Sequence, residues 1–147
     1  MISKLALLAI FGIAMAHFEG VVVVYLRKAL GMLDSESNRE SLDKIPRRFL
    51  TIEMTREVAT IIMLIVIAYI SGNTFFEKGI FFLWTFAFWD LFYYGSLYIL
   101  IRWPENLKTI DVLFLIPKPW IAPVWVPVTV SSLTIFVIAI LVFAGIL

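Results

Sequence analysis

Apolar residues fill four long stretches of this chain, and its polar residues gather between them. A bilayer core of roughly 30 Å takes about 20 helical residues to cross. The pattern therefore predicts transmembrane helices over about 5–26, 49–70, 80–101 and 127–147, with longer loops at 27–48 and 102–126. Local punctuation agrees with these bounds. Gly31 follows the first span where a helix stop is expected. Pro46 stands where a first-turn proline would open the second span. Ser71-Gly72-Asn73 and Gly79 bracket a short break that predicts a tight hairpin between the second and third. The stretch DSESNRESLDK (34–44) reads as a solvated loop with at most one helical turn.

The segment RWPENLKTIDVLFLIPKPWIAPVWVPV departs from this simple alternation. Its prolines at 104, 117, 119, 123 and 127 forbid a continuous helix, and its tryptophans at 103, 120 and 125 favour the headgroup layer. Thr109 to Ile116 is expected as a short helix lying in the interface or dipping into it. Two roles are open: a connector that anchors the last span, or a re-entrant lid in which Asp111 caps a site. The predicted fold is thus an all-α integral membrane protein. Its single domain is a small antiparallel bundle of four transmembrane helices, with a Pro/Trp-rich interfacial or re-entrant segment before helix 4.

Composition supports that class. Of 147 residues, 62% are hydrophobic and 16% charged, with a mean hydropathy of +0.98. Soluble domains carry about 25% charged residues, and a soluble chain of this length cannot hide so much apolar surface. The lipid bilayer is the first partner implied. A formal net charge of +1 argues against nucleic acid and against a polybasic lipid tether. The absence of cysteine removes disulfides, thiolate metal sites and cysteine catalysis.

Arginine and lysine outside the spans are sorted by side. Arg27, Lys28, Arg39, Lys44, Arg47 and Arg48 lie in the first long loop, and Arg102, Lys108 and Lys118 in the second, against Lys4 and Lys78 on the other face. The positive-inside rule then places both loops in the cytoplasm and both termini on the non-cytoplasmic side of the cell membrane. Met1 to Ala16 also resembles a cleavable signal peptide. The apolar run continues through VVVVYL, however, and favours a retained helix.

Inside the spans lie residues that a bilayer resists. Counting from the cytoplasmic ends at ~1.5 Å per residue, Glu19 and Arg56 sit about 12 Å deep, Glu57 about 13 Å, His17 about 15 Å, Asp90 about 18 Å and Glu53 about 8 Å. Three helices thus bring ionisable groups to similar depths. Glu53, Arg56, Glu57 and Thr60 form one stripe on span 2, and Asp90, Tyr93, Tyr94 and Tyr98 form another on span 3. His17 and Glu19 are about 200° apart around their helix, so only one of them can face the bundle centre.

Four acids against Arg56 leave three negative charges without an internal partner. Each costs at least ~2.5–3.5 kcal/mol at the bilayer centre. The plainest reading is that these groups only hold helices together. A second reading makes Glu57 and Asp90, with Glu53 and with Glu19 or His17, a cation-binding centre for protons or a metal ion, with Arg56 balancing charge. One imidazole with two or three carboxylates suits a divalent ion such as Mn, Fe or Zn. The Glu-x-x-His pairs of di-iron bundles are absent. A third reading makes the chain a non-catalytic subunit, or a homo-oligomer, whose acids meet a partner chain. The aromatic run FFLWTFAFWDLFYYGSLY fits such packing, or a quinone or lipid groove. Serine hydrolase, bis-histidine haem, P-loop and dinucleotide chemistries all lack their residues.

Overall fold

The structure is a computed structural model that describes residues 1–31 and 46–146. The loop reading at 34–44, with Arg39 and Lys44, lies outside the described residues. Four helices are long and apolar enough to cross a membrane: α1 (Ile2–Ala29), α2 (Arg47–Ser71), α3 (Phe75–Ile101) and α4 (Trp125–Phe143). Between α3 and α4 run two strands, β1 (Ile110–Phe114) and β2 (Trp120–Pro123).

The helix ends follow their local chemistry. Gly31 takes φ +68 just past α1, and its N–H donates to the Lys28 carbonyl, so a residue without Cβ suits the stop. Pro46 is the N-cap of α2. Helix α3 begins five residues before its expected start, because Thr74 caps it. The Thr74 hydroxyl accepts from Glu77 N at 3.1 Å, and the Glu77 carboxylate accepts from Asn73 N at 2.7 Å. The signal for that start is T-F-F-E, a capping-box spacing. Pro127 falls in the first turn of α4, where its missing N–H costs nothing.

Helix α3 is the element against which all three other helices pack, α1 most extensively. Gly12 of α1 lies against Thr85, Phe88 and Trp89, and Gly20 against Ser96 and Leu97, so α1 and α3 run in the same direction. Gly12, Ala16 and Gly20 repeat every four residues, and this small-residue seam lets the two backbones approach closely. Leu5, Leu8, Ala68 and Phe81 form one buried cluster, which places the end of α2 beside the starts of α1 and α3. Trp84 Nε1 donates to the Leu5 carbonyl at 2.8 Å, and Lys4 Nζ to the Ser71 carbonyl at 2.8 Å, closing the same end.

The proline-rich segment corrects one expectation. Thr109 to Ile116 forms no helix. Ile110–Phe114 pairs antiparallel with Trp120–Pro123, with Asp111 opposite Ala122 and Val112 opposite Ile121, and the register shifts between Val112 and Phe114. Ile110, Val112 and Phe114 are β-branched or aromatic residues that suit a strand, and it is Asp111 rather than Ile110 that is buried. Pro117 and Pro119 confine the connection to a turn. The architecture is therefore mostly helical rather than purely so.

Candidate polar cavity

The hairpin folds against the ends of α1, α2 and α3 that carry Arg27, Arg47 and Arg102. Phe114 stacks on Phe86 at 6.2 Å between ring centroids and packs beside Trp89. Beneath it lies a cavity of about 150 Å³ whose walls come from α1, α2, α3 and β1. Glu19, Glu53, Glu57, Asp90 and Asp111 all line it, as do Arg27 and Arg56, and Trp89, Tyr93 and Tyr94 supply aromatic wall.

Within the cavity the carboxylates have different partners. Glu19, only 7% exposed, joins three helices. One of its oxygens pairs with Arg56 Nη1, and the other accepts from Trp89 Nε1 at 2.7 Å and Thr60 Oγ1 at 3.4 Å. Arg56 also donates through Nε and Nη2 to Glu53 Oε2, at 2.9 and 2.8 Å. Glu19, Arg56 and Glu53 thus form a bridged triad in which one guanidinium serves two carboxylates. Ionised, the triad still carries one net negative charge.

Each of the other three acids accepts from at least one neutral donor. Glu57 accepts from the backbone N–H of Leu115 at 2.8 Å and of Ile116 at 3.2 Å, one on each carboxylate oxygen. This fastens the hairpin to α2. Asp111 accepts from Tyr94 OH at 3.0 Å, and Asp90 from Ser131 Oγ of α4 at 2.7 Å. Near the cavity's outer edge the Arg27 guanidinium lies 4.1 Å from the Trp103 ring centroid, and Trp103 stacks with Tyr94.

Glu57→Ala removes both acceptors of those backbone groups. Charge-assisted hydrogen bonds contribute about 1.5–3 kcal/mol each, so the hairpin is expected to loosen. Hydrogen exchange at the Leu115 and Ile116 amides checks this: it should accelerate in Glu57→Ala and change little in Glu53→Ala.

Of the residues singled out from sequence, Glu19, Glu53, Arg56, Glu57, Asp90 and Asp111 come together around one cavity. His17 does not. It is exposed on the outward side of α1, because Ala16, Glu19 and Gly20 take the inward face. Among the described residues no three His, Asp or Glu side chains converge as a metal site requires. The set His17, Glu19, Glu53, Glu57 and Asp90 therefore has no single ligand geometry. Two polar residues at the site were missed from sequence: Arg27, which served only as a topology marker, and Ser131. Arg27 was legible as a cation two turns from Glu19 on one side of α1, whereas Ser131 lies on α4, a helix that carries no acid. No family model matches the chain, and comparison with curated proteins and with solved structures likewise finds no match.

Proposed function

We propose that this is a four-span integral membrane protein, oriented with both termini on the non-cytoplasmic side, whose cavity is a cation-binding centre. The observation that carries the reading is the charge balance of that cavity. Five carboxylates and two guanidiniums line it, and among the described residues Arg56 pairs with Glu19 and Glu53. Among the described residues that line it, Arg27 is the one further cation beside Asp90, Glu57 and Asp111. Ionised together they would leave a surplus of negative charge in a low-dielectric site, which protons or a small bound cation would neutralise. Dispersed carboxylates, each already holding a neutral donor, suit protons or a monovalent ion better than a divalent metal, which needs several oxygens at 2.0–2.6 Å.

Asp90 is the group to test. It lies on α3 between the cavity and α4, and the Ser131 hydroxyl bonded to it can donate to a carboxylate or accept from a carboxylic acid. Asp90→Asn keeps the shape and the Ser131 contact. It is expected to lower proton or cation uptake several-fold while helix content is unchanged. Infrared difference spectra of the protonated-carboxyl band and calorimetric titration with Na+, K+ and Mg2+ report the two ligands separately. Wild-type protein that takes up neither from mildly acid to mildly alkaline pH would sink the proposal. The subunit alternative gains less support, because the acids face an internal cavity rather than an outer surface.

A further inference from the structure

A second concavity lies between α3 and α4, where the chain turns at 104–107. It is a groove of about 520 Å³ in the outer surface of the bundle, a volume in the range of ligand-sized pockets. Leu91, Gly95 and Tyr98 of α3 form one wall, Val128 of α4 forms the other, and Glu105 and Leu107 close the end. Tyr94 lines both this groove and the polar cavity, and so divides them. Gly95 is the informative residue. It stands inside a helix with no positive φ, a place where glycine is among the least favourable residues. Nothing among the described residues lies within 4 Å of a Cβ built on it. Neither backbone geometry nor packing within the chain asks for glycine there, and its missing side chain deepens the groove. One end is charged. Arg102 follows Tyr98 by about one turn, is exposed, and holds its guanidinium 5.4 Å from the Tyr98 ring centroid. Lys108, next in the chain to Leu107, is exposed too. Two cations against Glu105 leave one net positive charge at the end of an otherwise apolar groove.

We infer that this groove holds an acyl chain of an anionic phospholipid whose phosphate pairs with Arg102 and Lys108. The inference rests on α3 and α4 spanning a bilayer, as proposed above. Length selects a lipid over a partner helix. From Arg102 to Leu91 is eleven residues, about 16 Å of helix, which matches the ~15 Å depth of one leaflet in a core of roughly 30 Å. A partner helix would pack through both leaflets, whereas the groove ends near the middle of α3. The order of chemistry also fits: apolar wall as far as Tyr98, an aromatic ring at the headgroup level, and cations beyond it. A guanidinium forms paired hydrogen bonds to a phosphate, and the ammonium of Lys108 adds a second positive charge.

Native mass spectrometry tests this, with the protein in mild detergent titrated with phosphatidylglycerol or phosphatidylcholine of equal chains. One phosphatidylglycerol per chain should bind severalfold more tightly than phosphatidylcholine. Arg102→Gln should weaken it roughly fivefold, the effect of one cation near an anionic lipid. Lys28→Gln, which removes an exposed cation at the same end of the bundle, should leave it unchanged. Gly95→Leu and Val128→Trp fill the groove from opposite walls, and each should lower binding at least tenfold with helix content preserved. Dihexanoyl phosphatidylglycerol, which keeps the headgroup on short tails, should bind wild type no better than the long-chain lipid binds these two variants. Equal affinity for the two headgroups overturns the proposal. So does undiminished binding in both filled variants, a loss in Lys28→Gln equal to that in Arg102→Gln, or a protein subunit that Gly95→Leu releases from the groove. Extraction of native membranes with alkaline carbonate reports insertion separately. A chain that washes out strikes the membrane reading, whereas an inserted chain without the lipid preference strikes this site alone.

Discussion

Arg56→Met is expected to be the most damaging single substitution on the walls of the cavity. It leaves Glu19 and Glu53 in place and removes the one guanidinium that serves both. Breaking a buried ion pair by deleting one partner costs about 3–5 kcal/mol, since the stranded charge keeps its desolvation penalty. The side chain of Arg56 is 26% exposed, which points to the lower end of that range. The paired control carries the argument. The triple change Arg56→Met, Glu19→Gln, Glu53→Gln removes all three charges together, and it should recover most of the loss. Reversible unfolding in mixed micelles, followed by tryptophan fluorescence, measures both variants. If Arg56→Met alone unfolds at the wild-type midpoint, the triad does not hold these helices. If the triple is as unstable as the single, the penalty lies in packing around Arg56 rather than in stranded charge.

That triad shows how far sequence reasoning reached. The spacing of Glu53, Arg56 and Glu57 put all three on one side of α2, and matched depths brought Glu19 and Asp90 to the same level. Such periodicity survives any packing order. The choice between His17 and Glu19 did not follow from spacing, since both lie at similar depth on opposite sides of one helix. Packing decides it: Gly12, Ala16 and Gly20 must face α3, and Glu19 turns inward with them while His17 turns out.

The hairpin was harder to read, because dense prolines exclude a helix from the segment as a whole without naming the conformation of Ile110–Phe114. Its strand pairing and its attachment to Glu57 are tertiary facts. The acceptors lie on α2, and the donors are backbone groups that every residue except proline carries. Asp111 was legible only as a conditional partner. Its position beside Tyr94 depends on the hairpin folding inward.

The second large effect is expected at Gly12, away from any charge. A Cβ added there would meet the Thr85 carbonyl oxygen at 2.9 Å, Phe88 Cβ at 3.2 Å and the Trp89 nitrogen at 3.3 Å. Two of these are backbone atoms that cannot swing aside. Gly12→Val therefore forces α1 away from α3, and overpacking of this kind costs about 1–3 kcal/mol or more. Gly79 supplies the opposite sign. It also lies within a helix, but nothing stands within 4 Å of its added Cβ. Gly79→Ala should stabilise by about 0.4–1 kcal/mol through the unfolded chain.

The strain at Gly12 should also reach the cavity. Trp89 both contacts Gly12 through its backbone and donates its indole N–H to Glu19. The Trp89 indole resonance in a nitrogen–proton NMR spectrum should shift in Gly12→Val and stay in place in Gly79→Ala. A Gly12→Val protein of wild-type stability with that resonance unmoved would mean that α1 and α3 do not approach through this seam. The route from Glu19 to α3 would then need another geometry.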